Sequence, residues 1–209
     1  MPLTPALIPR DIRYHHLMCR GPARTRSPRG GFVLVGGRSS RMGRDKALLP
    51  LGHGTLAGSI AGRVREAAGS VTLIGPPDRY GNLGYRVIPD LIADAGPLGG
   101  VYTALTDSQT DWNLIVACDM PDVTAGLFEE LFRAAESSRA DCVVPGKSGQ
   151  LHPLCAVYHR RCAPEAAQAI RRNSKKMHDF VSHLHTVVWT PDDFAPLANI
   201  NTLEEWSAR

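Results

Sequence analysis

No apolar run in this 209-residue chain approaches the roughly 20 residues that a bilayer crossing requires, so no transmembrane segment and no membrane partner are expected. The five cysteines, Cys19, Cys118, Cys142, Cys155 and Cys162, include no C-x-x-C pair. Reduced, mostly buried thiols are expected, as suits a cytoplasmic protein. Internal repeats are absent. Excess positive charge is also absent from most of the chain. The formal net charge is +4, but residues 1–30 carry six arginines and one aspartate, while residues 31–209 carry eighteen Lys and Arg against nineteen Asp and Glu. The basic character lies in the first 30 residues, and a nucleic-acid partner is not expected. That N-terminal stretch has five prolines, no helix or strand period and no secretory apolar core. It reads as a disordered, basic, proline-rich extension.

Two common phosphate-binding motifs are missing as well. Five residues separate Gly37 from Gly43 and two separate Gly43 from Lys46, which does not fit a Walker A loop. There is no G-x-G-x-x-G. What residues 32–51 do contain is an apolar, β-branched run, Phe32-Val33-Leu34-Val35, ending in Gly36-Gly37. A polar stretch with Arg38, Arg41, Arg44 and Lys46 comes next, and apolar character returns at Ala47. A buried strand that opens into glycines and cations suits a phosphate-rich ligand, since backbone N–H groups and cations can both meet the anion.

Apolar runs then alternate with helical periodicities. Strands are expected at residues 71–74, 85–88, 112–117, 142–144, 151–158 and 186–189. Helices are expected over 56–68, near 101–105, over 124–137, near 164–171 and 176–184, and from Leu203. Pro153 marks the 151–158 strand as an edge or a bulge. This order predicts a single α/β domain, with a mainly parallel Rossmann-like sheet and helices on both faces. Residues 31–145 read as a nucleotide-binding half and 146–209 as an acceptor-binding half. Ligands of such sheets sit at the carboxyl ends of the strands, where Gly36-Gly37, Asp90 and Asp119 all fall.

Asp119 follows an apolar strand and precedes Met120-Pro121. A carboxylate there can hold Mg²⁺ bridging phosphate oxygens, and the alternative is an Asx turn. Lys46 is suited to a triphosphate whose charge shifts during transfer, and Arg41 to a bidentate grip on the same phosphates. Gly36 and Gly37 leave room for a purine edge against the backbone.

The stretch resembles the molybdenum cofactor guanylyltransferase signature L-A-G-G-x-S-x-R-M-G-x-D-K, matched at Leu34, Gly36, Gly37, Ser39, Arg41, Met42, Gly43, Asp45 and Lys46, with Val35 in place of alanine. Cys118-Asp119-Met120-Pro121 matches the family's C-D-x-P, His152-Pro153 its H-P, and Asn199-Ile200-Asn201-Thr202 its N-x-N-T, with Leu203 in place of proline. The resemblance implies a nucleotidyltransferase that moves GMP from GTP to the phosphate of molybdenum-loaded molybdopterin, releasing pyrophosphate with Mg²⁺ as cofactor. It implies nucleotide contacts at Leu34, Val35, Gly36, Gly37, Lys46, Asp90 and Asp119, with Lys46, Arg41 and Asp119 catalytic. The acceptor is implied at His152, Asn199 and Asn201. Cofactor-insertion proteins or target oxidoreductases are the implied downstream partners. Two alternatives stay open at this level: a cytidylyl or other small-acceptor nucleotidyltransferase, and a non-catalytic cofactor-binding chaperone.

Overall fold

The structure is a computed structural model that describes residues 13–15, 28–36 and 45–207. Gly37, Ser39, Arg41, Met42 and Gly43 of the cationic stretch lie outside the described residues.

In chain order the elements are β1 (Arg13–His15), β2 (Arg29–Leu34), the β3–β4 hairpin (Pro50–Leu51 and Gly54–Thr55), α1 (Leu56–Ala68), β5 (Thr72–Ile74), α2 (Pro77–Tyr80) and β6 (Arg86–Ile88). Then come α3 (Gly96–Asp107), β7 (Trp112–Ala117), α4 (Ala125–Ser137), β8 (Cys142–Lys147), β9 (Gln150–Leu151) and β10 (Cys155–His159). The chain continues through α5 (Ala163–Arg171), α6 (Met177–Ser182), β11 (Thr186–Trp189) and α7 (Leu203–Ser207). The main sheet runs β1-β11-β8-β10-β7-β2-β5-β6, with β9 added to β8. All pairs on that path are parallel except those made by β10, which lies antiparallel between β7 and β8.

Helices cover both faces because the central strands bury the side chains of both. Val33, Leu114 and Val116 point to one core, where α1 and α4 pack; Phe32, Leu34 and Ile115 point to the other, beneath α3, α5 and α6. Helix α1 presents Leu56, Ile60 and Val64 at successive four-residue intervals. Thr55 caps its start by accepting from Gly58 N at 3.1 Å, and Gly69 ends it in the left-handed region. Thr124 caps α4 in the same way through Leu127 N.

Three departures from the sequence-based expectations have local causes. First, the 151–158 strand is broken: Pro153 lies in a turn between β9 and β10, since it has no N–H to donate to a ladder. β10 itself is central, not an edge. Second, α3 starts at Gly96, so the glycine-rich segment 96–100 is its first turns and not a loop. A Cβ on Gly100 would come within 2.9 Å of Leu34 Cδ2, so glycine there lets the helix sit directly on β2.

Third, β2 begins inside the stretch expected to lack structure. Arg29 is buried beneath α4, where it bonds Glu136 at 2.7 Å and Glu129 at 2.9 Å and its guanidinium lies 4.5 Å from the Phe132 ring centroid. Arg13–His15 add an edge strand parallel to β11. The remaining residues of 1–27 lie outside the described residues, Pro28 being described but unpaired in any strand.

Candidate functional site at the carboxyl edge of the sheet

Parallel strands β7, β2, β5 and β6 lie side by side, so their carboxyl ends form one edge about 14 Å long across three strand spacings. Asp119, Gly36, Gly75 and Asp90 come after these four strands in that order. Cys118 N donates to Leu34 O at 3.2 Å, and both Val35 N and Gly36 N donate to Ile74 O, at 3.0 and 3.2 Å. Gly75 N donates to Ile88 O at 2.9 Å. The sheet ladder therefore continues past the strands and holds the four site residues in register.

On the β5–β6 side, Gly36 is exposed, and a Cβ built on it would lie 3.5 Å from Gly75 Cα and 3.6 Å from Asp90 Oδ2. Gly75 is tighter: a Cβ would come within about 3.1 Å of Gly36 N, Val35 Cγ2 and the Tyr80 ring. Two adjacent glycines thus keep the space beside the Asp90 carboxylate open. Leu34 and Val35 are buried and shape this edge through their backbone. Asp90 is aimed by the loop behind it. Leu91 N donates to Thr103 Oγ1 at 3.0 Å, and that buried hydroxyl donates to Gly99 O at 2.8 Å. Partial desolvation raises the Asp90 carboxyl above its usual range.

On the β7 side, Asp119 Oδ1 is buried with no hydrogen-bond partner among the described residues. Burial raises the Asp119 carboxyl, and the nearby Lys46 charge offsets this only in part. The turn that carries Asp119 is clamped from α1: Arg63 Nη1 donates to Pro121 O at 2.5 Å and to Val123 O at 3.0 Å. Burial and the Asp119 charge push the neighbouring Cys118 thiol up to about 12, which keeps it a neutral packing group.

Lys46 opens a 3₁₀ turn, Lys46–Leu48. Its Nζ donates to Ile200 O at 2.7 Å, and Ile200 N donates to Asp119 O at 2.8 Å. The segment 199–201 therefore runs across the site between lysine and aspartate. Asn199 and Asn201 flank buried Ile200 and are both exposed. Thr202 and Glu205 fix the next turn of the chain: Glu205 N donates to Thr202 Oγ1 at 3.1 Å, and Glu205 Oε2 accepts from Asn201 N at 2.5 Å. This reciprocal cap sets the start of α7 without the proline that Leu203 replaces.

The segment that carries His152 is tied to the same edge, since Ala117 N at the end of β7 donates to the oxygen of Leu154, two residues on, at 2.7 Å. The His152 ring stands 6.3 Å from that of Phe194. Burial, then the charge of His178, lowers its basicity, which keeps the ring neutral at pH 7. Asp94 takes a left-handed turn and its carbonyl accepts from Lys175 Nζ at 2.9 Å, which ties the loop after β6 to the second half of the chain.

The structure thus brings Lys46, Asp119 and residues 199–201 together, pairs Gly36 with Asp90, and ties the His152 segment to β7. Gly37 and Arg41 lie outside the described residues. Sequence reasoning missed Gly75, Tyr80 and the Ile200 main chain, for which no motif exists, and gave Asp45 no role although an aspartate just before a helical turn is a capping signal. Among the described residues no group of three or more His, Cys, Asp or Glu could hold a metal ion. A cation at Asp119 would draw its other oxygens from substrate and water, as Mg²⁺ commonly does. An open groove of about 380 Å³ lies at the opposite edge, where Arg86 is paired with Asp107 at 2.7 Å. None of the site residues lines it. No described helix is long and apolar enough to cross a membrane.

Residues 31–187 match the MobA-like NTP transferase domain. A "Probable molybdenum cofactor guanylyltransferase" of Flavobacterium johnsoniae is 35% identical over 177 residues, which is 83% of this chain and 92% of that protein. A protein of the same description from Pelotomaculum thermopropionicum is 36% identical over 81% of this chain and 82% of its own length. Among solved structures, molybdopterin-guanine dinucleotide biosynthesis protein A from Archaeoglobus fulgidus superposes with a TM-score of 0.74 at 23% identity, covering 86% of this chain and 95% of that one.

Proposed function

The chain belongs to the MobA-like NTP transferases and, among them, to the molybdenum cofactor guanylyltransferases, and from that premise we propose that it transfers GMP from GTP to molybdenum-loaded molybdopterin. A terminal phosphate oxygen of the acceptor attacks the α-phosphorus of GTP. The bond from that phosphorus to the α–β bridging oxygen breaks, and pyrophosphate leaves with the electron pair. The nucleophile is already ionised, so no strong general base is needed, and the protein acts by positioning and by stabilising charge.

The observation that carries this reading is the convergence of Lys46, Asp119 and the 199–201 segment at the carboxyl edge. Guanine takes the space beside Gly36, Gly75 and Asp90, whose carboxylate accepts from its amino and imino groups. Lys46 leaves the Ile200 carbonyl for a stronger, charged partner on the triphosphate. Arg41 adds a second cation there. The orphaned Asp119 oxygen fits a cation, and Mg²⁺ held there supplies charge neutralisation on the phosphates. Asn199 and Asn201 present amides to the acceptor from either side of Ile200, and neutral His152 faces it beside Phe194. The cytoplasm suits the four described cysteines, all free. Cofactor-insertion proteins or target oxidoreductases are the proposed recipients of the product.

The test is to mix the purified protein with Mg²⁺, loaded molybdopterin and GTP, CTP or ATP, and to identify the dinucleotide by mass spectrometry. Guanine dinucleotide and pyrophosphate are expected. A cytosine product in preference to guanine overturns the guanylyl assignment.

A further inference from the structure

Asp45 stands immediately before the turn that presents Lys46, and both its oxygens are engaged. Oδ1 accepts from Ala47 N at 3.1 Å and so caps the turn. Oδ2 accepts from the Tyr80 hydroxyl at 2.7 Å, with Arg79 Nη1 further out at 3.5 Å. Arg79 is exposed, whereas Tyr80 is 1% exposed and packed in the core beside α1. The phenol is therefore the rigid partner and the guanidinium the mobile one. Desolvation, together with the Asp45 charge, keeps the Tyr80 hydroxyl protonated far above neutral pH, so it stays a donor.

Tyr80 also touches the other half of the site. Its ring carbon Cε2 lies 3.0 Å from where a Cβ on Gly75 would stand, and Gly75 lies against Gly36. One buried side chain, carried on the short helix between β5 and β6, thus supports the floor beside Gly36 and anchors the turn of Lys46.

We propose that Tyr80 is a positioning residue for the triphosphate: its hydroxyl, acting through Asp45, sets the direction in which Lys46 leaves the backbone. This rests on the reading of Lys46 as a phosphate-binding group given above. The hydroxyl touches neither substrate nor reacting atoms. Its effect is to hold the lysine's backbone turn still, so that ordering it is not charged against phosphate binding.

The test reads the ratio of GTP to GMP affinity by calorimetry, because a lysine on the outer phosphates contributes to the first and not to the second. Tyr80→Phe keeps the ring and removes the hydrogen bond. The ratio is expected to fall roughly five- to tenfold with GMP affinity unchanged, the worth of one ordinary hydrogen bond. In a Lys46→Ala background the same substitution should change nothing further. Asp45→Ser, which keeps a capping oxygen for Ala47 N but has no second oxygen for the phenol, should reproduce the Tyr80→Phe result. An unchanged ratio, an equal loss of GTP and GMP affinity, a further fall in the Lys46→Ala background, or failure of both single variants to fold would each overturn the proposal. If the wild type makes no dinucleotide yet the ratio responds as expected, the transfer reaction is wrong and the positioning role stands. If another base binds more tightly than guanine, its triphosphate-to-monophosphate ratio is the one measured.

Discussion

Lys46 Nζ lies 2.7 Å from the carbonyl oxygen of Ile200, a residue 154 positions further along the chain. The Ile200 amide donates to Asp119 O at 2.8 Å, so the main chain of one residue near the C-terminus links the cation and the residue whose carboxylate is proposed to handle the phosphates. The flanking asparagines are therefore held by the same contact that parks the lysine.

Replacing Lys46 by alanine should leave a folded protein with turnover reduced about 10²- to 10³-fold, the usual cost of removing a group that stabilises transition-state charge. The loss of the bond to Ile200 should lower the melting temperature slightly. Circular dichroism and pyrophosphate release check both. Wild-type turnover in a folded variant removes Lys46 from the chemistry.

Gly36→Ala should fold normally, because the new methyl meets Gly75 Cα at 3.5 Å and Asp90 Oδ2 at 3.6 Å, ordinary contact distances. It would project into the space proposed for guanine. GTP use should fall by roughly 10-fold or more, with a relative gain for CTP short of a reversal. Competition kinetics with both nucleotides decide this. Unaltered GTP use would place the base elsewhere.

Asp119→Asn should raise the melting temperature of the metal-free protein at neutral pH. The sign comes from the raised carboxyl: the fold favours its protonated form, so stability falls as pH rises from the unfolded-state value through the folded one, and the ionised group remains a cost above that. Magnesium with GTP should stabilise the wild type, by about 1.4 kcal/mol at tenfold over Kd, and the variant much less. Scanning fluorimetry with and without Mg²⁺ reads both effects. Equal stabilisation of the two proteins would take the cation away from Asp119.

Arg29→Ala should cost about 2–3 kcal/mol, since it leaves Glu129 and Glu136 without their buried partner, though both are partly solvated. A truncation that removes residues 1–30 should show at least this loss, because it also removes the first two residues of β2, whereas removing residues 1–27 should cost much less. Urea unfolding compares the three. Equal midpoints for both truncations would mean that Arg29 contributes nothing.

Much of the fold was readable because its determinants are local. Continuous apolar runs at residues 32–35 and 112–117, a period near four in α1 and α4, and caps at Thr55 and Thr124 each act over a few residues. Their alternation implies a parallel sheet, and a parallel sheet puts Gly36, Asp90 and Asp119 on one edge without further information. The glycine-rich segment misled because glycine signals both a loop and a close helix–strand approach, and only Leu34 packed against Gly100 distinguishes them. The antiparallel insertion of β10 depends on which strand it pairs with, which its alternation does not state. Arg29 read as one more arginine of a basic tail, because its partners lie a hundred residues away on α4.

Residue identity and spacing were enough to place Lys46 and Asp119 near each other. What they could not supply was the Ile200 peptide between them, or the Tyr80 phenol behind Asp45. A main-chain carbonyl looks the same at every position, and a buried tyrosine has no motif. Their roles exist only once the packing of Leu197 and Trp206 against the core carries the Ile200 main chain to the lysine, and once the β5–β6 connection turns a hydroxyl toward a capping carboxylate.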